Sequence, residues 1–457
     1  MKSFQIYQDR GTHMEMYLGL IISFCLLIFG AFKNIPIAYM IIICWCIFAA
    51  ICLGRGFKTK RVLEVTYDGA KRSFVVLRIL ILIGALMATW LSCGTIPAIV
   101  YYCSKLVVPG AFILSVFLIC SITSFLIGSS LGTASIVGIP MMIIARSGNV
   151  DMNMVAGAVI AGAYFGDRCS PVSSSAALVV ALTDTDLFTN IKNMLKTAIV
   201  PFLLAIVVYA SLSIYHPMAT MNSNLSAELL SEFHIQPIML APAIIIAFLS
   251  LLRVPIHISI PVSVISAIFV GVFFQKYQLS QIAYQIIYGF KMEDGDLLRN
   301  IIKGGGILSM LRTCLLVFVS CGLARIFDEI KIFDGIKNVL SKKRLEKYQI
   351  FGATAIISII SAAFGCNQPI ASVMTCEIVK DSYGEAEKNI FALNLENSAV
   401  VLPALIPWTV TPLVITSSMN LGMIGYIPFA FYLYLLPVTY ILYLKYFRGG
   451  LKLQLSA

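Results

Sequence analysis

Apolar stretches long enough to span a bilayer recur along almost the whole chain, and nothing constrains its fold more. A spanning helix needs ~20 mostly apolar residues. Windows of that kind lie at 16–32, 35–54, 74–92, 193–214, 237–252, 256–274, 305–326, 348–364 and 424–444. Further apolar segments at 106–183 and 386–420 are broken by Gly, Pro and polar residues. Of the 457 residues 59% are hydrophobic and 12% charged, about half the charged share of a soluble domain. The fold expected is an all-α polytopic membrane protein with ~11 to 13 membrane segments, some incomplete. No cleavable leader is expected, because the first apolar run follows a polar stretch and has no small-residue cleavage site after it.

The net charge of +11 does not indicate nucleic acid, because the basic residues cluster in loops. There they set orientation. "RGFKTKRVLEVTYDGAKR" (55–72) and "KIFDGIKNVLSKKRLEK" (331–347) hold six Lys/Arg each, whereas "HPMATMNSNLSAELLSEFHIQP" (216–237) holds none. The first two are expected in the cytoplasm and the third outside. Arg253 then falls inside, "KMEDGDLLR" (291–299) outside, and Lys445, Arg448 and Lys452 inside, with both termini cytoplasmic in a multi-pass cell-membrane protein. Twelve cysteines without CxxC spacing predict neither disulfide framework nor metal site. His13, His216, His234 and His257 are isolated and read as loop or interface residues.

The chain is expected to divide into a two-helix N-terminal segment with its cytoplasmic loop (1–73), a first repeat (74–215), an extracytoplasmic loop (216–236) and a second repeat (237–457). The repeats are faint. "FLIGSSLGTASIVGIP" (125–140) and "AAFGCNQPIASVMTC" (362–376) share Gly128, Ala134 and Ser135 with Gly365, Ala371 and Ser372. Each is followed some 30 residues later by an acid and a proline-rich break: Asp167 with Pro171, Glu396 with Pro403 and Pro407. Interrupted helices survive in hydrocarbon only where they line a cavity or ligand. Each half, inverted relative to the other, is therefore expected to supply a re-entrant hairpin, with its tip at Gly128–Thr133 or Gly365–Pro369. Each also supplies one discontinuous helix, unwound at Asp167–Ser175 or Glu396–Trp408.

Carboxylates at membrane depth are costly and by default functional. Burial favours the neutral form of Asp167 and a bound cation or Arg168 its ionised form, so one group can exchange a proton for a metal ion. The competing reading is that Asp167 only pairs with Arg168 or caps the next helix. Glu396 occupies the corresponding place in the second half; its alternative is an interfacial position. Ser170, Ser173, Ser174 and Ser175 offer hydroxyls, as does Thr133, and Asn367, Gln368 and Asn397 offer amides, though small residues also simply let helices approach. Arg312 is expected to face the central cavity, the alternative being a side chain that reaches to the interface. "TDTDLFTNI" reads as helix capping.

These residues resemble the NhaC-type sodium/proton antiporters, within an ion-transporter superfamily that also includes malate/lactate exchangers. The resemblance rests on "AGAYFGDRCSPVSSSAALVVALTDTDLFTNIKNML" (161–195), "SFLIGSSLGTASIVG" and "LENSAVVLPALIPWT" and spans most of the chain more weakly. It implies paired inverted repeats with hairpins and cation-coupled antiport, with Na+ and H+ as transported ions held by Asp167 and Glu396 and no cofactor; dimers are common in the superfamily. The chain departs from the family pattern at Ser174 and Ala177, where Asp and Asn are usual, at Asn367 and Asn397, where Asp is usual, and at Arg312, where an aromatic is usual. Two transport readings follow: Na+/H+ antiport, or coupled exchange or symport of a small organic acid or amino acid held by Arg312 and half-helix amides. A membrane-embedded enzyme would want a Ser/Lys or Ser/His pair, paired aspartates or HExxH, and none stands at usable spacing. A channel would be excluded by saturable counterflow.

Overall fold

The computed structural model describes residues 10–71, 73–106, 108–171, 173–219, 230, 233–252, 254–291, 304–342, 345–384 and 387–446. Arg253, Arg448, Lys452, most of the 216–237 loop and most of the acidic 291–299 loop fall outside them. The described chain is helical throughout, apart from one isolated bridge between Phe290 and Gly304. In order the helices are α1 (Arg10–Phe32), α2 (Ile37–Gly54), α3 (Thr59–Lys71), α4 (Phe74–Ser92), α5 (Thr95–Leu106) and α6 (Phe112–Ile127). Next come α7 (Ser130–Ser147), which contains a π turn at Ala134–Gly138, α8 (Met152–Cys169), α9 (Ser174–Thr183) and α10 (Leu187–Tyr215). The later helices are α11 (Ala241–Leu251), α12 (Ile256–Phe273), α13 (Leu279–Tyr288), α14 (Ile307–Glu329) and α15 (Asp334–Lys342). The series closes with α16 (Lys347–Gly365), α17 (Gln368–Val379), α18 (Lys388–Asn397), α19 (Val410–Ser418) and α20 (Phe431–Tyr446).

Nine spans among the described residues are long and apolar enough to cross a membrane, and three apolar helices are shorter. Their outward faces are oily: Leu203, Val207 and Ile214 on α10 and Ile265, Phe269 and Phe273 on α12 are all exposed. A water-soluble surface does not present apolar area on that scale, so the protein is a polytopic helical membrane protein. Burial sorts the spans. In Lys388–Ser418 94% of the apolar window is buried, against 28% in Leu187–Tyr215, which places the broken segment at the centre and α10 at the rim.

Two hairpins are built alike. α6 ends on Gly128 in the left-handed conformation (φ 70°), Ser129 is extended, and the next helix starts at Ser130. α16 ends on Cys366, also left-handed (φ 51°), Asn367 is extended, and α17 starts at Gln368. The structure therefore pairs Gly128 with Cys366, one residue along from the Gly365 match read in the sequence. Two helices are interrupted where expected. The chain leaves helix between α8 and α9, where Ser170, Pro171 and Ser173 are non-helical, and between α18 and α19 at 398–409, apart from a short 3-10 turn at Leu402–Leu405.

The first interruption is held in place by glycine. Gly162 and Gly166, one turn apart on α8, face α6 so closely that an added Cβ would lie 2.6 Å from the Phe117 carbonyl oxygen or 2.2 Å from the Phe125 nitrogen. The Ser124 hydroxyl donates across the same contact to the Ala163 carbonyl. Small residues allow this approach of two backbones in the absence of water. Past the break, Asp186 caps α10: its carboxylate accepts from the Thr189 backbone N–H at 2.8 Å, as "TDTDLFTNI" predicted. That bond holds its carboxyl below the usual carboxylate range. A depressed folded-state pKa contributes stability above the ordinary Asp pKa, and the contribution is lost as pH falls through the depressed value. Asp186→Ala is thus expected to lower the thermal midpoint slightly at neutral pH, with the difference vanishing in acid; scanning calorimetry at both pH values checks it.

Candidate functional site

Asp167 lies in the last turn of α8 and is 2% exposed. The Ser173 hydroxyl donates to its Oδ1 at 3.0 Å while accepting the N–H groups of Ser175 and Ala176 as N-cap of α9. Ser175 Oγ stands 3.3 and 3.2 Å from the two carboxyl oxygens and 3.0 Å from Gln368 Oε1. The side chains of Ser130 and Gln368 also hydrogen-bond to the carboxyl group. Ser130, Ser174 and Gln368 are the first residues of α7, α9 and α17, so three helix N-termini meet around one carboxyl group.

A hydroxyl carries one proton, so Ser175 cannot donate at once to Asp167 and to Gln368 Oε1. Hydroxyl and amide oxygens of four side chains thus surround one carboxyl group, the oxygen-rich set that a hard cation takes. Tyr164, one turn before Asp167 on α8, hydrogen-bonds Ser130 and Thr411 of α19 and ties the shell to the second break. Gln368 Nε2 donates to the Val400 carbonyl at 2.8 Å, and Ser372 Oγ to the Ala399 carbonyl at 3.3 Å. Two carbonyls freed by the second interruption are thus taken up by the second hairpin.

Arg168 does not pair with Asp167. Consecutive helical residues point in different directions, and its fully buried guanidinium runs the other way. Nη1 donates to the Met194 carbonyl at 3.1 Å and lies 3.5 Å from Tyr432 Oη; Nη2 donates to Thr197 Oγ1 at 2.9 Å and to Asn397 Oδ1. Glu396 is also fully buried, in the last turn of α18, within electrostatic reach of Arg168 and Asp167. An exposed interfacial place for Glu396 is ruled out.

Of the residues singled out in the sequence, Asp167, Ser173, Ser175 and Gln368 share one shell, and Glu396 and Asn397 form a neighbouring one with Arg168. Ser170 is buried as the C-cap of α8, its N–H bonded to the Gly166 carbonyl at 2.9 Å. Thr133 is buried in the first hairpin with no hydrogen-bond partner for its hydroxyl among the described residues. Asn367 caps α17 by position without a side-chain capping bond. Two expectations are corrected. Ser174 is exposed, about 100° round the first turn of α9 from the buried Ser175. Arg312 is exposed beside Leu308, Leu311 and Leu315 on the outer face of α14, away from the buried Asp167 shell. Ser130, Tyr164 and Thr411 were not singled out. The three-residue spacing of Tyr164 and Asp167 was the available signal for Tyr164.

No group of three or more metal-ligating acids, cysteines or histidines gathers among the described residues, so oxygen from hydroxyls and amides must complete any cation site at Asp167. The chain matches the Na+/H+ antiporter family over residues 11–181 and 162–446. It is 28% identical over 441 residues to the Na(+)/H(+) antiporter NhaC of Alkalihalophilus pseudofirmus, covering 92% of this chain and 95% of that one. It is 26% identical over 445 residues to the NhaC of Bacillus subtilis, covering 93% and 95%. It is also 26% identical over 426 residues to the malate-2H(+)/Na(+)-lactate antiporter of Bacillus subtilis, covering 91% and 89%. With a broken helix carrying a buried acid and matches spanning nearly its full length, the chain belongs to the Na+/H+ antiporter family.

Proposed function

We propose that the protein exchanges Na+ for H+ across the cell membrane and that both ions compete for the Asp167 carboxyl group. The observation that carries this reading is the oxygen-rich shell of Ser130, Ser173, Ser175 and Gln368 around one buried carboxyl group. Na+ binds the carboxylate and neighbouring oxygens, or a proton neutralises it; either occupant removes the uncompensated charge that would oppose reorientation within the bilayer. The two matching hairpin turns and the two broken helices support an arrangement of inverted repeats, one moving against the rest. The basic 55–72 and 331–347 segments support cytoplasmic termini.

Exchange of a small carboxylate, as named for one relative, would need a cation to hold it. None of the groups that touch Asp167 among the described residues is cationic, and Arg312 lies on the outer face. Proteoliposomes loaded with a pH-sensitive dye test the proposal: an outward Na+ gradient should drive proton uptake with no organic solute present. Its absence, together with uptake of a labelled organic acid, would overturn it. In the same assay Ser175→Ala is expected to raise the half-saturating Na+ concentration about tenfold, the effect of one lost polar ligand, with little change in maximal rate.

A further inference from the structure

Arg168 reaches from the end of the first broken helix into the second, and the contact it makes there leaves four buried polar atoms unused. Arg168 Nε, both carboxyl oxygens of Glu396 and Asn397 Nδ2 have no hydrogen-bond partner among the described residues. Guanidinium only donates, so its bond to Asn397 fixes Oδ1 toward Arg168 and leaves Nδ2 as a spare donor. Two donors and two acceptors are therefore left over on three residues in one buried cluster, and they are complementary. Glu396 feels the charge of Arg168, yet no ion pair joins them among the described residues. A buried polar atom without a partner is costly, and the unused donors match the unused acceptors in number.

We propose that Arg168 is a two-position latch between the broken helices, holding Asn397 in the arrangement seen here and turning to Glu396 when the transport unit reorients. The guanidinium is anchored on α10 by Met194 and Thr197 and on α20 by Tyr432, so changing its partner on α18 alters how α18 sits against both. The ionisable groups facing the cluster are Asp167 and Cys169 from α8 and Tyr432 and Tyr440 from α20. Arg168 is a positioning residue: it acts on the movement and leaves the ions to Asp167.

The latch rests on the antiport reading, and the two are tested apart. Arg168→Lys keeps the charge but loses the fork that serves two acceptors; its turnover is expected to fall at least tenfold while half-saturating Na+ stays within twofold. Glu396→Gln keeps the shape but removes the negative charge that draws the guanidinium to its second position, so turnover should fall at least tenfold with no loss of thermal stability. Wild-type turnover in either variant would overturn the latch, as would a rise in half-saturating Na+ that accounts for the whole loss. If wild type itself exchanged no Na+ for H+, the antiport reading would fail and amide hydrogen exchange over residues 393–402 would still decide: slower than wild type in Glu396→Gln and faster in Arg168→Lys supports the latch, and no difference in either overturns it. Should Arg168→Lys not fold, Glu396→Gln alone carries both readouts.

Discussion

Asp167→Asn is expected to reduce Na+/H+ exchange at least about a hundredfold, the ~3 kcal/mol upper range for a contact to a charged group, while the protein still folds. The asparagine keeps an oxygen to accept from the Ser173 hydroxyl, which stands 3.0 Å from Oδ1. It keeps the shape that fills the space among Ser130, Ser175 and Gln368. What it loses is the ability to carry a negative charge, and with it both the attraction for Na+ and the exchangeable proton. Thermal stability should therefore move by no more than about 1 kcal/mol, the scale of an ordinary hydrogen bond. Dye-based flux in proteoliposomes and a thermal midpoint on the same preparation separate loss of function from loss of fold. An asparagine variant with wild-type coupled flux would show that Asp167 is structural.

The second large effect is expected one residue earlier. Gly166→Val should cost more than about 3 kcal/mol, beyond the usual range for overpacking, and yield little folded protein. An added Cβ would fall 2.2 Å from the Phe125 nitrogen and 2.4 Å from the Ser124 carbonyl carbon. Both are backbone atoms of α6, so no side-chain adjustment relieves the clash and α8 must move away. Because Asp167 follows directly, even a variant that folds would misplace the carboxyl group. Gly352→Ala on α16 is the control, since a Cβ there meets nothing within 4 Å and helix propensity favours alanine. Detergent-extract size-exclusion profiles and thermal midpoints of the two variants should diverge sharply; comparable profiles would mean that the α6–α8 approach is not tight.

How much of this was legible in the sequence follows from what each signal depends on. Hydropathy windows anticipated six of the nine long spans among the described residues because lipid demands long apolar helices, while those at 237–252, 256–274 and 424–444 fell on shorter helices; the small polar interruptions found the two breaks because hydrocarbon tolerates irregular backbone only in the protein interior. Asp167 stood out as an acid beside such a break. The composition of its shell was only partly readable: Ser173, Ser175 and Gln368 were named, but Ser174 was given equal standing, and only the start of α9 decides that it points outward while Ser175 points in. Ser130 was hidden within a run of small residues at a hairpin tip. Arg312 misled because depth was judged by position in an apolar run, and the face it occupies on α14 is set by packing. The partner of Arg168 was also out of reach, since its bonds run to Asn397 and Tyr432, more than 200 residues away in sequence.

The most direct measurement needs no membrane gradient. Competition for one carboxyl group means that Na+ binding must expel the proton held there, because a hard cation requires the ionised form. Purified wild-type protein in weakly buffered detergent solution, at a pH where the carboxyl group is protonated, should release about one proton per Na+ bound on addition of NaCl, none on addition of choline chloride, and none with Na+ in Asp167→Asn. Na+ binding without proton release in the wild type, or unchanged release in Asp167→Asn, would contradict the account.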